Sequence, residues 1–289
     1  MDPELLTYYR THGPMTEVGS QQHMVSQIPP DIAVIVRCTQ NVLVHQHWAS
    51  AYGLELTEER KQEPFLRRFE EKLSFLSSRG FSHVSEQRPA ADKMVGICRD
   101  FSVVAAALCR EAGIPARTRC GFASYFQPGK FTDHWVLEYW SEAEHRWIMV
   151  DTQLDELQQK ALNIPFDPLD VGADYFITGP RAWLMCRRGQ ADPNLFGIFH
   201  WWGYQYLNCN LLLDANALLK MPMQPWDGWP GYKSRPIAEW TEADFQVLDQ
   251  LAELALAVDR DFASFAQFVR GHDGIKVPGD LGEVFNLND

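Results

Sequence analysis

Apolar positions recur at helical spacing over the first third of the chain and then switch to alternation. Behind Pro29-Pro30-Asp31, the positions Ile32, Ile35, Val42, Leu43 and Trp48 predict a helix capped by Asp31 and finished by Gly53. A second helical pattern starts near Thr57, is interrupted at Pro64, and continues through Phe65, Phe69, Leu73 and Leu76 to Gly80. A third covers Cys98 to Ala112 and stops at Gly113, ahead of Pro115. From there to Thr152 three alternating segments read as strands. A helix followed by an antiparallel sheet predicts an α+β fold with the helix packed on the sheet. Between 155 and 240 short apolar bursts alternate with Pro, Gly and Trp, a pattern of loops and short helices. Thr241 then opens a helix through Phe245, Leu248, Leu251, Leu254 and Leu256, and Asp259 caps another towards Arg270. Without a repeat or a low-complexity linker, the expectation is one domain over 1–289. Its core spans about 91–155, with a helical N-terminal part at about 30–80 and a C-terminal elaboration at about 156–289.

Composition narrows the function classes. With 289 residues, 46% apolar and 22% charged, the chain has the make-up of a folded globular protein. Its net charge of -12 repels phosphate backbones and anionic bilayers, so neither nucleic acid nor membrane is an expected partner. Six cysteines without a CxxC pair are too sparse for a disulfide framework. No basic n-region precedes an apolar run at the N-terminus, and no uninterrupted apolar stretch of about 18 residues occurs. Together these point to the cytoplasm.

The chemistry concentrates around Gly96-Ile97-Cys98-Arg99-Asp100-Phe101-Ser102, where Cys98 falls at a helix start. Unpaired N–H groups and the positive end of the helix dipole favour a thiolate there, lowering a thiol pKa into a range of about 3.5–7.5. Cys109 lies inside the same helix, and Cys38, Cys120, Cys186 and Cys209 sit in apolar or strand-like surroundings that suit inert packing. A base is offered by His134, in the strand pattern 133–140, and a carboxylate by Asp151, after the strand 146–150. A hairpin loop of Ser141 to Glu144 sets Trp140 against His145 and His134 against Asp151. A loop of Ser141 through Arg146 shifts the pairing by two and keeps both side chains on one face.

The segments GICRDFS, GIPAR, DHWVLEYW and RWIMVDTQ, within about residues 94–155, resemble the transglutaminase-like superfamily, and the GxCRDF form resembles its bacterial members. The resemblance implies a cysteine proteinase-like core and assigns Cys98 as nucleophile, His134 as general base and acid, and Asp151 as the group orienting the imidazole. It implies acyl transfer through a thioester on an amide or related substrate, a small molecule or peptide, resolved by water or an amine. The rival class is a non-catalytic module that binds a partner through the Trp-rich C-terminal half. Papain-like relatives place an oxyanion-hole Gln six residues before the Cys, but Asp92 stands there in this chain. Arg99 and Asp100 anchor the helix start or pair with each other. Arg117 and Arg119 share a strand face, towards solvent, a salt bridge or a substrate carboxylate. His45 and His47, two apart on a predicted helix, cannot both ligate one metal, and the scattered Cys and His lack ligand spacing; no metal or cofactor is expected. The Trp-rich stretches around 200–202 and 225–232 either clamp onto the core or wall a pocket.

Overall fold

A helix with almost no exposed face lies within one of two units into which the chain divides. The computed structural model describes residues 1–287; one unit comprises Leu6–Thr118 and Trp135–Val171, the other Met1–Leu5, Arg119–His134 and the chain from Gly172 onward. The chain passes from one to the other inside two strands, after Thr118 and after His134.

The chain also passes from the second unit to the first inside α1 (Pro3–Arg10), after Leu5; the helix carries the fully buried Tyr9, and α2 (Ile32–Val42) in the first unit begins at the predicted cap. The Asp31 Oδ1 accepts from the Ala33 and Val34 N–H groups at 2.8 and 3.1 Å. The helix is shorter than its apolar pattern. It stops at Val42 because β1 (Leu43–His45) pairs in parallel with β2 (Met94–Gly96), and Gln46–Tyr52 then forms a 3-10 segment up to Gly53. The second pattern is likewise divided at Pro64, into a 3-10 segment at Arg60–Phe65 and α3 (Phe69–Ser78).

The buried helix is α4 (Cys98–Glu111), in which every residue from Cys98 to Arg110 is covered. Its run Ala105-Ala106-Ala107 lets neighbours approach closely, and it packs on α2 and α3. One core joins Ile35, Val42, Phe69, Leu73, Leu108, Leu137 and Val150, each such burial contributing about 1.5–3 kcal/mol. Beyond α4 come β3 (Ala116–Ala123), β4 (Phe131–Ser141), β5 (Arg146–Val150) and α5 (Glu156–Leu162). β4 and β5 are antiparallel, with Trp140 opposite Trp147, Ser141 opposite Arg146 and Leu137 opposite Val150. This is the longer-loop register, not the one setting Trp140 against His145. A cross-strand tryptophan pair at 5.7 Å between ring centroids favours it, and His145 takes a left-handed turn conformation at φ +50°.

The second unit adds β6 (Phe176–Thr178), α6 (Gly179–Arg187), β7 (Phe196–Ile198), β8 (Trp201–Trp202), α7 (Tyr204–Leu218), β9 (Asp227–Gly228), α8 (Glu242–Leu256), α9 (Phe262–Gly271) and β10 (Phe285–Asn286). β6 pairs with the end of β3, while β7 runs parallel to the start of β4. The sheet contacts are therefore mixed, not purely antiparallel. α7 was not expected in a region read as loops and short helices. It is buried continuously from Leu207 to Leu218, and its buried Asn208, Asn210, Asp214 and Asn216 break up the apolar stripe that would mark an amphipathic helix. α6 meets α7 at Gly179, where a Cβ would lie 2.5 Å from the Asn210 carbonyl oxygen, so only glycine fits. Among the described residues no helix is long and apolar enough to cross a membrane.

Arg119 is buried and reaches Asp214 with two hydrogen bonds, Nε to Oδ1 at 3.0 Å and Nη2 to Oδ2 at 2.8 Å. Asp214→Ala takes that carboxylate away from a buried cation and is expected to cost about 3–5 kcal/mol of unfolding free energy in urea. Removal of Arg146, whose half-exposed side chain meets Glu144 and Asp170 at 2.7 and 2.6 Å, changes the same quantity by about 1 kcal/mol or less.

Candidate active site

Cys98 is the first residue of α4, directly after the Ile97 cap in extended conformation. The helix starts here because Asp100 folds back: its Oδ2 accepts from the Ile97 N–H at 2.9 Å. Gly96 makes room for the turn, since a Cβ there would lie 3.1 Å from the Asp100 Cβ and 3.2 Å from Leu43 Cδ2. The other carboxylate oxygen holds two buried cations, Lys72 Nζ at 2.8 Å and Arg99 Nη1 at 3.2 Å, all three side chains being fully covered. Arg99 also donates to the Arg67 carbonyl at 2.7 Å and Lys72 to that of Leu66. Burial pushes the Lys72 ammonium pKa below its ordinary value, with Asp100 opposing the shift. Both readings of Arg99 and Asp100 thus hold: they anchor the helix start and pair, with Lys72 as a third member.

The strand leading into this turn is held by Glu63, which accepts from the Val95 N–H at 2.6 Å and from Arg60 Nε at 3.0 Å. Gln40, on α2, donates to the Thr152 carbonyl at 3.2 Å, beside Asp151. Neither was singled out from sequence, where Glu63 sits in a charged stretch with the look of a solvated surface.

Cys98 is 8% exposed. Burial pushes the thiols of Cys109 and Cys186 up to about 12 and raises that of Cys38 as well, so these three are poor nucleophiles. Asp151 is fully buried one residue after β5; its Oδ1 accepts from the Gln153 N–H at 3.0 Å and its own N–H donates to the Pro168 carbonyl at 2.8 Å. In the second unit, His134 on β4 is 1% exposed, with ring-centroid distances of 4.8 Å to Phe126, 6.0 Å to Tyr125 and 6.4 Å to Phe176. Tyr125 and Phe126 lie in a loop and Phe176 opens β6, and none of the three carried a signal in the sequence. Its neighbour Asp133 is buried and accepts from Asn210 Nδ2 at 2.7 Å; burial raises its carboxyl pKa.

Of the alternatives for Arg117 and Arg119, the salt bridge holds, with both side chains buried. They form buried pairs, Arg117 with Glu138 and Arg119 with Asp214. His45 ends β1 and His47 is the second residue of the 3-10 segment, so the two do not share one helix; the His45 Nδ1 accepts from the His47 N–H at 3.2 Å. Asp92 stands in an exposed turn. Among the Trp-rich stretches, Trp229 is fully buried, whereas Trp201 and Trp226 line a cavity of about 420 Å³ in the second unit.

The family model described as the transglutaminase-like superfamily matches residues 56–152. Among solved structures, a protein from Cytophaga hutchinsonii described as a "putative cysteine protease" is similar at 16% identity over 62% of this chain and 46% of its own, with a TM-score of 0.34. Red sea bream transglutaminase is similar at 15% identity over 54% of this chain and 27% of its own, with a TM-score of 0.27. The chain therefore spans less than half the length of either. No curated protein matches it in sequence.

Asp100 generates the test of this region. Asp100→Ala leaves Lys72 and Arg99 buried without their carboxylate and is expected to cost about 3–5 kcal/mol in chemical denaturation. Adding Lys72→Met removes one stranded cation, so the double variant recovers at least about 1 kcal/mol relative to the sum of the single losses.

Proposed function

We propose, from the membership of residues 56–152 in the transglutaminase-like superfamily, that the protein is a cysteine-dependent acyl-transfer enzyme acting on an amide or related acyl substrate. Members of this superfamily are generally cysteine-based enzymes. The observation that carries the proposal is Cys98 itself: a thiol at the first residue of a helix whose start is fixed by a buried carboxylate and two buried cations. Helix-terminal N–H groups stabilise a thiolate, and a fixed start keeps them aligned with it.

In the proposed reaction the Cys98 sulfur attacks the acyl carbon, and the electron pair of the C=O bond moves to oxygen. The oxyanion collapses, the C–N bond breaks, and the amine leaves with a proton from the His134 imidazolium. A thioester on Cys98 remains. Water or an amine then attacks it while His134 accepts the proton, and the thiolate departs. Asp151 holds the imidazole in its working orientation and stabilises its charged form. Support for that pair comes from the resemblance of the segments DHWVLEYW and RWIMVDTQ to the strands that carry His and Asp in the superfamily. The acceptor, water or amine, decides between hydrolysis and transfer.

Alkylation by iodoacetamide needs no substrate. Cys98 is expected to react ahead of Cys38, Cys109, Cys120, Cys186 and Cys209, with a rate that levels off below the ordinary thiol range, and His134→Ala moves the midpoint up towards about 8.5. Peptide mapping at a series of pH values reads both, and faster labelling of any other cysteine rejects the nucleophile. In single-turnover assays, Cys98→Ala and His134→Ala each lose several orders of magnitude. Asp151→Asn loses about 10- to 1000-fold, because a thiol depends less than a hydroxyl on assisted deprotonation.

A further inference from the structure

The cavity in the second unit belongs to residues outside the family match. It opens between the β7–β8 hairpin and the segment 225–236, and its wall includes Phe199, Trp201, Tyr206, Cys209, Trp226 and Lys233. Its volume of about 420 Å³ lies in the range of small-molecule sites, and aromatic walls are typical of them.

Two features of the wall point to a ligand. Phe199 and Trp201 are 64% and 47% exposed, so their apolar surface does not serve the core. Phe199 also has φ +52°, a conformation that strains a bulky side chain, and the Trp202 Nε1–H holds the turn by donating to its carbonyl at 2.8 Å. Two large aromatics are thus kept at the cavity mouth by a strained hairpin.

The second feature is Lys233, 1% exposed and the charged residue among those that line the cavity. Among the described residues its ammonium, a three-donor group, makes one hydrogen bond, to the Pro225 carbonyl at 3.1 Å. Its electrostatic partner is Asp133, whose carboxylate is already engaged by Asn210 and Tyr206. Among the described residues no carboxylate lines the cavity. A buried ammonium with donors to spare calls for an anionic acceptor, and a single cation among apolar walls suits a monoanion with a hydrophobic body.

We propose that this cavity binds a hydrophobic carboxylate, its aryl or branched-acyl body seated among Trp201, Tyr206 and Trp226 and its carboxylate on Lys233. The site is independent of Cys98 and stands or falls without the catalytic reading.

Calorimetric titration of the full chain with naphthaleneacetate, and with naphthaleneethanol as its uncharged counterpart, tests it. The acid is expected to bind at least about tenfold more tightly than the alcohol. Lys233→Met abolishes that preference while leaving the alcohol's affinity near the original. Trp201→Ala, at an exposed position that folding tolerates, weakens the acid by about tenfold. The acid also slows alkylation of Cys209, which locates it. Equal binding of acid and alcohol overturns the role of Lys233. Binding of the acid that ignores Trp201→Ala and leaves Cys209 unprotected overturns the site, as does an absence of saturable binding.

Discussion

The carboxylate of Asp100 is the constraint on which the first unit depends. It caps the α4 N-terminus through the Ile97 N–H while neutralising Lys72 and Arg99, all out of water. Charges removed from water are costly unless paired and hydrogen-bonded. Here the cations also bond the carbonyls of Leu66 and Arg67, so α4 is tied to the segment just ahead of α3. A helix covered along nearly its whole length can begin at Cys98 and at no neighbouring residue without breaking this arrangement. The position of the thiol is thus a consequence of electrostatics two residues away.

The parts legible in sequence are those where local chemistry and burial agree. The Asp31 cap, the start of α4 at Cys98 and the alternation of β4 and β5 each follow from a period or a capping residue visible in the chain. The hairpin register was open between two loop lengths, and side-chain packing of Trp140 against Trp147 chose between them. Leu43–His45 were hidden for another reason: apolar residues that pair with the remote Met94–Gly96 look like the end of a helix until the partner is known.

Buried polarity explains the rest. α7 hides its helical period because Asn208, Asn210, Asp214 and Asn216 are buried in it, each satisfying a remote group, such as the Asn216 amide at the Ile275 carbonyl, 2.9 Å. For Arg117 and Arg119 the alternation left solvent, a salt bridge and a substrate carboxylate all open, because arginine is seldom covered. Their partners Glu138 and Asp214 lie at sequence separations of 21 and 95, the second well beyond any local pattern. Glu63 was obscured in the same way, in a charged segment whose one inward carboxylate holds the strand before Cys98.

The central claim is that Cys98 carries the acyl group. Brief exposure of the protein to p-nitrophenyl acetate at neutral pH, followed by peptide mapping before and after hydroxylamine, addresses it directly. The expected result is an acetyl thioester on Cys98 that hydroxylamine removes and that Cys98→Ala does not form. Release of p-nitrophenol at an undiminished rate by Cys98→Ala, or a thioester on another cysteine, would contradict it.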